Sequence, residues 1–181
     1  MWYSNPYCTR KDIGEALNEF CESVPDDDWI CLQDGDMMYL TPDWGKQIEE
    51  VIRRHGDQYD LLGCMTNRLG GRTQIVPGMY NETDIVKHYE KAVELAENHW
   101  AEVVPIRSGV AGMFMLFKKS TWKKHRFTEG TYQGVKFDTQ FGKDILRAKG
   151  KVGLIKGLYV FHLYRIWSEA SNPIGEIRHF V

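Results

Sequence analysis

The stretch "DWICLQDGDMMYLTPDWGKQIEEVIRRHG", residues 28–56, runs from an apolar strand pattern into a well-signalled helix, with two aspartates one residue apart between them. Residues 29–33 are short, apolar and carry Trp and Ile, as strands do. Thr41 is the candidate N-cap of the helix, Pro42 its first residue and Gly56 its stop. A strand that hands over to a helix so quickly is the repeating unit of α/β folds. Strands disfavour Asp and Gly, and a buried carboxylate is costly unless something compensates it. Asp34-Gly35-Asp36 therefore reads either as a solvated turn or as a cation site at the C-terminal end of a strand, where ligands of α/β sheets bind. Asp26, Asp27 and Asp28 come before the strand and read as its solvated approach turn.

The pattern extends in both directions. Upstream, "MWYSNPY" is a short strand pattern stopped at Asn5-Pro6, and "TRKDIGEALNEFCESV" puts Ile13, Ala16, Leu17 and Phe20 on one helical face. Downstream, "YDLLGCMTN" reads as a strand, "RLGGRTQIVPGMYNET" as a loop and "DIVKHYEKAVELAENHW" as a polar helix. "GVAGMFMLFKKSTW" is an apolar strand leading into a helix that Ser120 is placed to cap. "FDTQFGKDILRAKG" is a helix closed by Gly150, and "KVGLIKGLYVFHLY" gives one or two strands. This alternation predicts an α/β fold with a mostly parallel central sheet flanked by helices. No repeat, low-complexity tract or linker interrupts it, and 181 residues are enough for one core, so a single domain over residues 1–181 is expected.

Composition is that of an ordinary globular protein, 43% apolar and 27% charged. A net charge of -2 gives no electrostatic case for nucleic acid, and an anionic ligand would need a local site. Cys8, Cys21, Cys31 and Cys64 are scattered without C-x-x-C spacing, which argues against structural zinc and for a reduced, cytoplasmic protein. "MWYSNPYCTRKD" lacks a basic segment followed by an apolar one and does not read as a signal peptide, and no apolar run approaches the ~20 residues a membrane span needs.

Taken together, the blocks carry a resemblance. "DDDWICLQDGDMMYLTPDWG" (26–45) resembles the Asp-x-Asp region of family 2-like glycosyltransferases with the GT-A fold. "IGEALNEF" is similar to the helix that precedes that region. "SGVAGMFMLFKKSTWKKHRFTEG" resembles the Gly-rich strand and helix forming the acceptor side and donor-sugar pocket. "VKFDTQFGKDILRAKGKVGLIKGLYVFHLYR" resembles the segment with the acidic residue, followed by a late strand ending in His. The likeness covers roughly residues 10–165, in the family's order.

The resemblance implies a metal-dependent transferase moving a sugar from a nucleotide-diphosphate donor, UDP-sugar by default, to a hydroxyl of a glycan, lipid-linked or protein acceptor. A divalent cation neutralises the diphosphate leaving group. Oxygen ligands suit Mn²⁺ or Mg²⁺, and an imidazole shifts the preference towards Mn²⁺. By the same resemblance Asp36 and His162 ligate the metal, and Asp34 contacts the ribose or the metal shell. Asp138 is the candidate catalytic base, the role an inverting reaction would need, with the retaining outcome left open, although Asp there also suits a helix cap. Gly109 and Gly112 would let the donor sugar approach the backbone, with a strand bulge as the alternative. Arg10 and Lys11 are placed to reach the nucleotide, Tyr164 and Arg165 the phosphates, and residues 163–181, with Trp167, form a C-terminal lid.

The chain departs from the family in two ways. Phe137-Asp138 stands where the family has an acidic pair, with Glu129 a weaker alternative base. Only ~30 residues precede Asp34, about one strand and one helix at ordinary lengths, so the base-reading Asp has no counterpart. Competing readings are a degenerate sugar- or nucleotide-binding module, or a nucleotidyltransferase of related fold. The second expects a Gly-rich basic loop after the first strand, which "SNPYCTRKDIG" matches poorly. His55, His88, His99, His125 and His179 read as solvated surface.

Overall fold

A computed structural model describes residues 1–5, 12–130 and 137–163. Its elements are β1 (Trp2–Ser4), α1 (Ile13–Ser23), β2 (Trp29–Gln33), β3 (Met37–Tyr39), α2 (Trp44–His55), β4 (Leu61–Thr66), α3 (Ile85–His99), β5 (Val103–Ile106), β6 (Phe114–Lys118), α4 (Lys119–His125), α5 (Phe137–Arg147) and β7 (Val152–His162). The fold is α/β. The chain divides into two compact units. The first comprises Met1–Gly35, His55–Gly63 and Val104–Leu154, and the second Asp36–Arg54, Cys64–Val103 and the chain from Ile155 onwards. β4 and β7 contribute residues to both.

In the first unit β1 pairs parallel with β2, and β2 pairs antiparallel with β6 from Trp29↔Lys118 to Gln33↔Phe114. Leu62 of β4 lies opposite Leu116 of β6, again antiparallel. Burial of Leu17 and Cys21 from α1, Ile30 and Leu32 from β2, Met115 and Phe117 from β6, Trp122 from α4 and Phe141 and Ile145 from α5 forms its core. Fully burying one such large apolar side chain stabilises by roughly 1.5–3 kcal/mol. Phe127 packs between Phe117 and Phe141, with ring centroids 6.0 and 4.4 Å away.

One polar side chain is embedded in this apolar set. Asn18, on the buried face of α1, accepts from Trp122 Nε1 (2.9 Å) and from the Phe127 amide (3.0 Å) through Oδ1. Its Nδ2 donates to the Phe127 carbonyl (2.9 Å) and to Glu129 Oε1 (2.7 Å). Both halves of the amide are thus in use, and α1 is tied to the segment after α4. At the start of α1, Asp12 Oδ1 caps the Glu15 amide at 3.1 Å.

In the second unit β3 pairs antiparallel with β7, from Met37↔His162 to Tyr39↔Val160. Asp84 caps α3 through the Val86 amide at 3.0 Å. His88, Ala92 and Ala96 form the buried stripe of α3. His88 is fully buried, which corrects its reading as solvated surface. The Glu82 carbonyl can only accept, so His88 Nε2 donates to it (3.0 Å) and Nδ1 accepts from the Tyr159 hydroxyl (2.6 Å). Burial lowers the His88 pKa and raises that of Tyr159, so both are neutral in the core.

The sheet is mixed, where a mostly parallel one was expected. Strand-helix alternation does not set strand direction, and β6 enters antiparallel beside both β2 and β4. β3 in turn pairs antiparallel with β7. α2 begins at Trp44 because Thr41-Pro42-Asp43 forms the turn before it. Ser120 lies inside α4, whose N-cap Lys118 makes no side-chain cap bond. Cys21, Cys31 and Cys64 are buried, and burial pushes the Cys21 thiol up to about 12. Among the described residues no helix is long and apolar enough to cross a membrane.

Replacing Asn18 with Ala strands two buried N–H donors and a carbonyl at once. Each costs about 1–3 kcal/mol when left unsatisfied. Asn18→Ala is expected to destabilise the protein by about 3 kcal/mol, read from the midpoint of urea unfolding followed by near-UV circular dichroism.

Candidate metal centre

The turn that carries the two aspartates is anchored at each end by backbone bonds. Where β2 ends, the Asp34 amide donates to the Met113 carbonyl at 3.0 Å, continuing the β2–β6 ladder. Gly35 and Asp36 form the turn, and β3 starts at Met37 opposite His162. The Leu163 amide donates to the Asp36 carbonyl at 2.9 Å. This β3–β7 register, within the second unit, places the His162 ring beside the Asp36 carboxylate. The His162 side chain is 3% exposed and that of Asp36 49%, so the imidazole is walled in while the carboxylate faces water.

His162 is oriented by neighbours that follow β4. Its Nδ1 lies 3.0 Å from the Arg68 carbonyl, and its backbone amide donates to Asn67 Oδ1 at 2.7 Å. Asn67 Oδ1 also accepts from Thr66 Oγ1 at 3.2 Å. Arg68 is itself buried, with its guanidinium carbon 4.9 Å from the centre of the Tyr80 ring. A carbonyl oxygen only accepts, so Nδ1 carries a proton and Nε2 points at Asp36 Oδ1, 3.3 Å away. Two chemical states satisfy that geometry. Either Nε2 holds a second proton and the ring is an imidazolium paired with Asp36, or Nε2 offers a lone pair and a cation sits between two electron-rich groups. Interaction with His162 holds the Asp36 carboxyl below the usual carboxylate range.

Asp34 lies two residues earlier on the same turn. It belongs to the first unit, whereas Asp36 and His162 belong to the second. In the second of the two states, the Asp36 carboxylate and an imidazole whose far nitrogen is hydrogen-bonded to a carbonyl are donors of the kind found in divalent-cation sites. Asn67 and Arg68, which orient the ring, were not singled out from the sequence, where Asn67 merely ends a strand pattern and Arg68 opens a loop.

The remaining site residues fall as follows. Asp138 lies in the first turn of α5, in the first unit. Its Oδ2 accepts from the Gly112 amide (2.9 Å) and its Oδ1 from the Thr139 amide (2.6 Å). A Cβ on Gly112 would come 2.8 Å from Phe137 Cζ and 3.3 Å from Asp138 Cβ. Gly109 faces Gly142 of α5, where an added Cβ on Gly142 would sit 2.6 Å from Gly109 Cα. The close backbone approach these glycines allow is thus made by α5. Glu129 accepts from Asn18. Arg10, Lys11, Tyr164, Arg165, Trp167 and the lid segment from residue 164 onwards lie outside the described residues. No protein-family model and no curated protein matches this chain.

Gly142→Ala tests what Gly109 is for. Ala favours the helix by about 1 kcal/mol, but a backbone clash of this kind costs more, typically about 1–3 kcal/mol beyond any such gain. Gly142→Ala is expected to lower stability by about 2 kcal/mol in chemical denaturation. Gly109→Ala, whose Cβ would be 3.4 Å from its nearest neighbour, should cost less.

Proposed function

We propose that the chain is a metal-dependent glycosyltransferase of the family 2-like, GT-A type, transferring a sugar from a nucleotide-diphosphate donor to an acceptor hydroxyl. One observation carries this reading: a buried imidazole, fixed through Nδ1 by the Arg68 carbonyl, aims Nε2 at the carboxylate of an Asp-x-Asp turn. In this reading Asp34, Asp36 and His162 hold Mn²⁺, or Mg²⁺. The cation supplies Lewis-acid neutralisation of the charge that grows on the departing diphosphate. UDP-sugar is the default donor, and the acceptor is a hydroxyl of a glycan, a lipid-linked sugar or a protein.

Asp138 is the base in this proposal. Two backbone amides hold its carboxylate in one orientation, and a carboxylate keeps lone pairs beyond the two so engaged, with which it takes the acceptor proton. The same two bonds favour a second reading, a nucleotide- or sugar-binding module without transfer, in which Asp138 only caps α5 and anchors the Gly112 loop.

Three measurements separate these readings. Mn²⁺ with UDP at about 100 times Kd should stabilise the protein by about 2.7 kcal/mol, which raises Tm by roughly 5–10 °C in a chain of this size. Asp36→Ala and His162→Ala should each abolish that shift. If neither UDP, GDP nor dTDP moves Tm in the presence of Mn²⁺, the proposal is wrong. In a UDP-release assay with UDP-sugars, Asp138→Asn should keep the thermal shift and slow turnover by about 10²-fold or more. A thermal shift with no UDP release by the unaltered protein selects the binding module.

A further inference from the structure

A lysine-lined cleft in the first unit is absorbed neither by the metal centre nor by the core. Its volume is about 310 Å³, and its walls include Asp57, Asp60, Lys118, Lys124, Lys149 and Lys151, with the Ser120 and Thr121 hydroxyls beside them. The chain as a whole is weakly acidic, at -2, whereas this wall carries four ammonium groups against two carboxylates.

Those carboxylates are already engaged. Asp57 pairs with Lys118 at 2.8 Å, and Asp60 Oδ2 accepts from the Lys151 amide at 2.8 Å. The Asp60 amide in turn donates to the Lys151 carbonyl at 2.8 Å, which pins the base of the Lys151 side chain to the cleft wall. Among the described residues, Lys124, Lys149 and Lys151 form no ion pair. Lys123, next to Lys124 in sequence, pairs with Asp26 at 2.6 Å, so a partnered lysine serves as a control on the same helix. Lys149 also stands in the left-handed region, with φ 63°, where α5 ends and where glycine is the cheaper residue. Unpaired ammonium groups around one concavity raise the local concentration of anions. Ammonium groups with neighbouring hydroxyl donors bind phosphate oxygens through charge-assisted hydrogen bonds. The volume lies at the small end of ligand sites, roughly 300–1,000 Å³, which suits one phosphate on a small carrier and not a long polyanion.

We propose that this cleft binds a phosphate monoester, carried either by a small soluble molecule or by a lipid headgroup. The site does not rest on the glycosyltransferase reading, and its test is run in EDTA so that no divalent cation occupies the Asp34–Asp36–His162 group. The probe is glycerol 3-phosphate, followed by amide chemical shifts of the full chain. Saturable shifts are expected at residues 118–124 and 149–151, with the Kd raised at least 10-fold by Lys124→Gln with Lys151→Gln and also raised by Lys149→Gln alone. Lys123→Gln should leave the Kd unchanged. Flotation with phosphatidylcholine vesicles, with and without phosphatidic acid, distinguishes the sources. Lysine-dependent binding to phosphatidic acid vesicles assigns a lipid headgroup, and binding to glycerol 3-phosphate alone assigns a soluble ligand. The proposal is overturned if neither probe binds, or if binding survives undiminished in all the lysine variants of the cleft.

Discussion

The hydrogen bond from His162 Nδ1 to the Arg68 carbonyl decides what the Asp34–Asp36 turn can hold. Without it the ring is free to turn either nitrogen towards Asp36, and the turn is an ordinary pair of solvated acids. With it, Nε2 is committed, and the space beside Asp36 needs either a second proton or a cation. The constraint propagates backwards through the fold. Arg68 must be buried to present its carbonyl there, and stacking on Tyr80 compensates its charge in part. Asn67 must point its oxygen at the His162 amide, which Thr66 assists.

How much of this was legible in the sequence depends on the range of the interaction. α1 and α5 are amphipathic helices, and β2, β4 and β6 are short but continuously apolar runs, so local patterning found them. β3 and β5 are three and four residues with little burial, and no local pattern marks them. Strand direction was not legible either, because antiparallel entry of β6 is settled by packing and not by the alternation of elements. The Asp34/Asp36 spacing was readable, but its meaning rests on the Met37↔His162 register, a pairing between residues 125 positions apart, which only the resemblance suggested. His88 was misread because its polarity outweighed its place in the 88–92–96 stripe. Residue spacing was the better guide there, and the Tyr159 hydroxyl and Glu82 carbonyl supply what burial demands. Gly109 and Gly112 were recognised as points of close approach, but composition alone cannot name what approaches them.

The polar clusters around His162 and Asn18 solve similar problems differently. His162 is held through Nδ1 by the Arg68 carbonyl and turns Nε2 to a charged, half-exposed carboxylate, that of Asp36. Asn18 has no open valence: each polar atom of its amide is matched twice. The first arrangement leaves a charged group at its outer end, and the second locks α1 against the segment around Phe127.

That closed arrangement makes residue 18 intolerant of a carboxylate in place of the amide. Hydrolytic deamidation converts an asparagine amide to a carboxylate, replacing one NH₂ with an oxygen and changing almost nothing in shape. At residue 18 the new oxygen would face the Phe127 carbonyl and the Glu129 carboxylate, turning two attractions into two repulsions inside the core. The network at residue 18 thus discriminates between two side chains of nearly equal size by the sign of one group's hydrogen bonding alone.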